Sequence, residues 1–157
     1  MHVQVDIEVA STSRQIPDSA LIEQWIGAAL AQVEDFNRDD AEVSLYIVDE
    51  SEGQELNQQY REKNYPTNVL SFPADLPEEL NLPLLGDLVV CAPVVEREAV
   101  EQNKPLAAHW AHMLVHGTLH LLGFDHIDDD EAEAMEALET RILTSLGFDA
   151  PYSSENI

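Results

Sequence analysis

Positive charge is scarce in this chain. Seven Lys and Arg stand against 31 Asp and Glu among 157 residues, a formal net charge of −24. Such a surface repels polyanions at long range and excludes a nucleic-acid binder that neutralises phosphates along a broad basic face. An anionic substrate must be met locally, and Arg61 and Lys63 lie close together in an otherwise acid-rich sequence. Cysteine is nearly absent too. The single Cys91 forms no intramolecular disulfide, and its apolar surroundings, Leu-Val-Val-Cys-Ala, are those of a buried strand residue. No apolar run approaches the length of a transmembrane helix. The opening Met-His-Val-Gln-Val-Asp lacks the basic region and apolar run of a signal peptide. These absences predict a cytoplasmic protein with no membrane association.

What is present reads as one domain over residues 1–157, long enough to bury a core, with 45% hydrophobic residues. Val3 to Val9 alternates apolar and polar as a half-buried strand does. Pro17-Asp18 opens a helix whose apolar face carries Leu21, Ile22, Trp25, Ile26, Ala29, Leu30 and Val33. Val43–Val48 is a second strand. Ser51 with Gln54 resembles a capping box for a short helix toward Tyr60. A loop at 64–68 leads to a strand, Val69–Phe72, stopped by Pro73; residues 74–84 read as an exposed loop. Gly86-Asp87 precede a fourth strand, Leu88–Cys91, and a helix covers about 93–102.

Pro105 suits the first turn of a further helix bearing Trp110, Met113, Leu114, Leu119 and Leu122. Asp128 with Glu131 caps a last helix through Met135, Leu138, Ile142, Leu143 and Leu146, ended by Gly147. Acids favour that helix N-terminus, so the cluster Asp128–Glu131 reads as a cap rather than a metal site. Residues 152–157 read as a loose tail. The fold expected is α+β, or α/β: a four-stranded mixed sheet with about five helices around a buried central helix. Strand order is not legible.

The chemistry concentrates in His116-Gly-Thr-Leu-His120-Leu-Leu-Gly123-Phe-Asp-His126. Histidines four apart stack on one helix face. Gly123 can take the left-handed conformation that ends a helix, so the chain can turn back and bring His126 to the same point. Three neutral imidazoles make an open site for zinc, and a zinc-bound water ionises near neutral pH, which points to hydrolysis. Nickel and other imidazole-binding metals fit the same ligands. The spacing is that of the metzincin peptidases, which carry glutamate after the first histidine as general base. Here that position is Gly117, which cannot move a proton. His109 and His112 precede the motif on the same helix. They read as partly buried residues beside Trp110, although His112, four before His116, can reach the edge of the site.

A second stretch, residues 56–73, runs Leu-Asn-Gln-Gln-Tyr-Arg-Glu-Lys-Asn-Tyr-Pro-Thr-Asn-Val-Leu-Ser-Phe-Pro. Arg61 ends a short helix there. As a cation it can satisfy the helix dipole or grip a phosphate, and the residues alone weigh these equally.

Together these stretches resemble the YbeY family of bacterial endoribonucleases and rRNA maturation factors. Four blocks carry the resemblance: Leu56-Asn57 with Tyr60-Arg61; Pro66 to Pro73; Leu85-Gly86-Asp87; and His116 to His126. Many members read Thr-Asp where this chain reads Thr67-Asn68, so a charge is missing at that loop. The resemblance implies a zinc-dependent, single-strand-specific endoribonuclease acting in 3′-end maturation of 16S rRNA and in ribosome quality control. One zinc would sit on His116, His120 and His126. His116 and Arg61 match the positions essential to activity. The implied partners are rRNA, the small ribosomal subunit with a basic small-subunit ribosomal protein, and the GTPase Era. Two other readings stand beside this one. One is a non-catalytic assembly factor with structural zinc, whose fourth ligand would come from Asp125 or His112. The other is a zinc peptidase or amidase with a different base. The general base of an RNA-cleaving reaction is not identifiable from the residues.

Overall fold

The computed structural model describes residues 2–33, 40–61, 68–74, 83–124 and 128–151, without the side chains of Tyr60 and Arg61. Nine elements follow one another among them: β1 (His2–Ala10), α1 (Ser19–Gln32), β2 (Asp40–Val48), α2 (Glu50–Arg61), β3 (Val69–Pro73), β4 (Leu84–Cys91), α3 (Ala92–Glu101), α4 (Leu106–Leu121) and α5 (Asp129–Ser145). The four strands make one mixed sheet in the order β1-β2-β4-β3. β1 pairs parallel with β2, β2 parallel with β4, and β3 antiparallel with β4. The expected α+β class, the mixed sheet and the buried central helix are all observed.

Period-two alternation explains how the sheet meets its core. On β2, Ala41, Val43, Leu45 and Ile47 are buried toward one face, joined by Val5, Leu88 and Val90 from the neighbouring strands. α1 and α4 pack there through Ile22, Trp25, Ile26, Leu30, Trp110, Leu114 and Leu119. α4 touches α1, α3, α5 and the sheet, and eleven of its sixteen residues are buried. A helix apolar nearly all round belongs in a core, and this one carries the histidines into it. On the other face a smaller cluster of Val48, Leu70, Val89, Cys91 and Val94 is packed by Leu56 and Phe72.

β2 begins at Asp40, three residues before the expected Val43, and three further boundaries differ in ways with a local account. α2 begins at Glu50, with the Gly53 amide donating to the Asp49 carbonyl at 3.0 Å, so Ser51 lies inside the first turn and is not the cap. The Asp49 side chain turns instead to Ser11 and Thr12, at 2.5 and 3.1 Å. β4 starts at Leu84, four residues before the expected strand, because Gly86 is accommodated within it. Its φ is +149°, and an added Cβ would lie 2.3 Å from the Phe72 carbonyl oxygen, so only glycine lets β3 approach there. Pro105 precedes α4 as its N-cap rather than entering its first turn. The expected loops at 64–68 and 74–84 fall largely outside the described residues, as does the tail 152–157.

Candidate metal centre

α4 carries His116 and His120 one turn apart and then stops where the sequence predicts. Gly123 has φ +101°. Its amide donates to the His120 carbonyl at 3.1 Å, and the Phe124 amide donates to the Leu119 carbonyl at 3.1 Å. This paired closure is the Schellman motif, which needs the left-handed residue that glycine supplies. His126 follows three residues later, outside the described residues.

The two described imidazoles face each other. Their Nε2 atoms are 3.0 Å apart, with ring centroids at 4.5 Å and planes at 80°. Each ring is fixed from behind. The His116 Nδ1–H donates to Glu139 Oε1 at 2.8 Å, and the His120 Nδ1–H donates to the Phe124 carbonyl at 2.8 Å. These partners set the tautomer in both rings and leave a lone pair on each Nε2. Two lone pairs at that distance repel unless a positive centre lies between them. Zn–N bonds of about 2.0–2.1 Å at a tetrahedral angle put ligand nitrogens roughly 3.3 Å apart, close to the spacing found. The donor set therefore fits zinc or another imidazole-binding metal. Among the described residues two imidazoles converge, and no group of three metal-binding side chains gathers.

Glu139 was not singled out by the sequence. It lies on α5 and is fully buried, and its Oε1 also stands 3.3 Å from His112 Nε2. Burial pushes its carboxyl up, but hydrogen bonds from His112 and His116 outweigh that and hold it at about 2. His112 is itself lowered, chiefly by burial, against the pull of Glu139. A signal for Glu139 did exist. Met135, Glu139 and Ile142 fall on one stripe of α5, so the glutamate occupies a core position between apolar neighbours.

His109 was expected to be a packing residue, and it is buried. It also pairs its Nε2 with Glu98 Oε1 at 2.9 Å. The Asn68 amide donates to the same carboxylate at 3.1 Å, while Asn68 Oδ1 accepts from the Val69 amide at 2.7 Å. Burial raises the Glu98 carboxyl, and the His109 and Asn68 bonds bring it below its ordinary value. Asn68, just before β3 and seven residues after Arg61, is thereby tied to α3 and, through Glu98, to His109 on α4. Arg61 ends α2 as expected; its side chain lies outside the described residues, as does Asp125.

Gly117 has a steric reason for being glycine. It faces the sheet, where an added Cβ would lie 2.9 Å from Leu88 Cδ2 and 3.1 Å from Val69 Cγ2. The Ser71 hydroxyl donates to its carbonyl at 3.0 Å. A side chain after His116 would enter the core between β3 and β4, so this position offers no place for the peptidase base.

Comparison with known proteins gives the family. The family model described as Endoribonuclease YbeY matches residues 6–147. The chain belongs to the YbeY family. Among relatives, it is 64% identical over 149 residues to a protein of Cellvibrio japonicus named Endoribonuclease YbeY, covering 95% of this chain and 82% of that one. It is 55% identical over 154 residues to the Endoribonuclease YbeY of Pseudomonas putida, covering 98% and 95%. The solution structure of TM1509 from Thermotoga maritima is similar in fold, with a TM-score of 0.53 and 25% identity over 94% of this chain and 99% of that one. No helix among the described residues of this YbeY-family chain is long and apolar enough to cross a membrane.

Proposed function

We propose that this chain is a zinc-dependent endoribonuclease that cleaves single-stranded RNA, acting in the cytoplasm in 3′-end maturation of 16S rRNA and in ribosome quality control. The observation that carries the reading is the pair of Nε2 atoms on His116 and His120, 3.0 Å apart and each tautomer-fixed by an Nδ1 acceptor, in a chain of this family. The names of the relatives supply the reaction class.

His116, His120 and His126 would hold one zinc. Bound there, it would supply Lewis acidity at a phosphate oxygen and a source of nucleophile at neutral pH. The protein does the rest. Glu139 and the Phe124 carbonyl keep the two imidazoles oriented, so no tautomer change is needed when the site is used. Arg61, at the end of α2, is the group assigned to the phosphate. Its planar guanidinium can grip two phosphate oxygens and offset the charge that builds on them. The packing of Gly117 against Leu88 and Val69 weighs against peptide hydrolysis by a base after His116.

Partner choice follows from charge. With −24 overall, binding to bare rRNA is disfavoured across most of the surface, and targeting to the small ribosomal subunit would come from a basic small-subunit ribosomal protein, with the GTPase Era as a further partner. The test of the activity is Arg61→Ala against single-stranded and duplex RNA of the same sequence. The variant is expected to keep its fold and zinc while losing most cleavage of the single strand, and Arg61→Lys to rescue it poorly. An unfolded Arg61→Ala, or one that cleaves normally, contradicts the assignment.

A further inference from the structure

We propose that Glu139 is a positioning residue for the metal site: its Oε1 fixes His116 as an Nε2 ligand, and His112 in turn fixes that oxygen. The inference rests on the metal reading above and deepens it. Oε1 accepts two hydrogen bonds, 2.8 Å from His116 Nδ1 and 3.3 Å from His112 Nε2. The two histidines therefore donate through opposite nitrogens. His116 is left with its lone pair at Nε2, facing His120. His112 has its Nε2 committed to the carboxylate, although its ring lies only 6.3 Å from that of His116. One oxygen thus separates two neighbouring histidines into a ligand and a support. This argues against His112 as a fourth ligand through Nε2.

The placement favours this role over a general contribution to stability. Glu139 is fully buried on the stripe of α5 shared with Met135 and Ile142. A buried ion pair is a poor stabiliser compared with apolar side chains of the same volume, so stability alone does not account for a carboxylate there. Orientation does, because a carboxylate behind an imidazole sets its tautomer and raises the basicity of the opposite nitrogen. α5 also follows the histidine motif closely in sequence. Its N-cap, Asp128, accepts from the Glu131 amide at 2.8 Å and stands two residues after His126. About three turns further on, the same helix presents Glu139 to His116. The helix that starts three residues after His126 in sequence thus also holds His116.

The experiment measures zinc affinity by chelator competition, cobalt(II) absorption and metal-free thermal stability for the wild type, Glu139→Gln and His112→Gln. Glutamine at 139 keeps the shape and an acceptor oxygen but removes the charge. It is expected to weaken zinc binding by roughly 10- to 100-fold and to shift the cobalt bands, with His112→Gln moving both in the same direction by less. If the wild type binds no zinc, the metal reading fails and the inference with it. If the wild type binds zinc and both variants bind it within about twofold of wild type, the inference alone is overturned, and Glu139 serves only the fold. Should Glu139→Gln not fold, His112→Gln decides by the same criterion.

Discussion

Replacing Gly117 separates two opposing effects whose sizes can be worked out. Gly117 lies inside α4, where alanine is the better helix former by about 0.8–1.0 kcal/mol. Its Cβ, however, would stand 2.9 Å from Leu88 Cδ2 and 3.1 Å from Val69 Cγ2, both in the buried core. Leu88 is fully buried and can yield only by moving its own neighbours, and overpacking of this kind costs about 1–3 kcal/mol. The net expectation for Gly117→Ala is a loss of about 0–2 kcal/mol. Gly117→Glu, which restores the residue that metzincin peptidases carry, also drives a carboxylate between Leu88 and Val69. That adds several kcal/mol, a large part of the roughly 5–15 kcal/mol that holds a domain folded. Urea unfolding followed by fluorescence of the buried Trp25 and Trp110 measures both. A Gly117→Ala protein more stable than wild type by the full helix propensity would show that α4 does not pack on β3 and β4 as found. A well-folded Gly117→Glu protein that hydrolyses peptides would refute the reasoning altogether.

Glu98→Gln should be less stable than wild type at neutral pH, because His109 and Asn68 hold the folded carboxyl below its ordinary value of 4.5 despite burial. For a depressed carboxylate the stabilisation is present above the unfolded pKa and is lost as pH falls through the folded one, so the gap should narrow below about pH 4.5; a gap that is constant with pH contradicts this. Zinc measured by elemental analysis should be one per chain in wild type and lost in the His116→Ala, His120→Ala double variant, whereas undiminished zinc would place the metal elsewhere. Affinity for naked 16S 3′-terminal RNA should be weak with a shallow salt dependence, and affinity for small-subunit particles higher. Tight, steeply salt-dependent binding to the naked RNA would reveal a basic channel that the −24 charge conceals.

The parts of the fold that announced themselves were those with a local cause. α5 was legible at both ends because Asp128 accepts from the Glu131 amide and Gly147 takes φ +95°. α4 was legible from Pro105 and from the apolar residues Trp110, Met113, Leu114 and Leu119 along it, and its end from Gly123. The order β1-β2-β4-β3 was not, since pairing is decided between segments far apart in sequence. The start of β4 was not legible, since Gly86-Asp87 read as preceding the strand; the approach of the Phe72 carbonyl shows why glycine sits inside it. At the site, His116 and His120 were readable because their helical spacing fixes their meeting. Glu139 was hidden in an acid-rich helix, and only its alignment with Met135 and Ile142 separated it from solvated neighbours. The pairings of His109 with Glu98 and His112 with Glu139 join residues on different helices, which no local pattern encodes.

The most direct measurement of the central claim is cleavage of single-stranded RNA by protein stripped of metal and then titrated with zinc. The account predicts no cleavage by the stripped protein, full recovery at one zinc per chain, and no recovery when His116 is replaced by alanine. Stripped protein that cleaves RNA as fast as the reloaded enzyme, or His116→Ala protein that recovers with zinc, would contradict it.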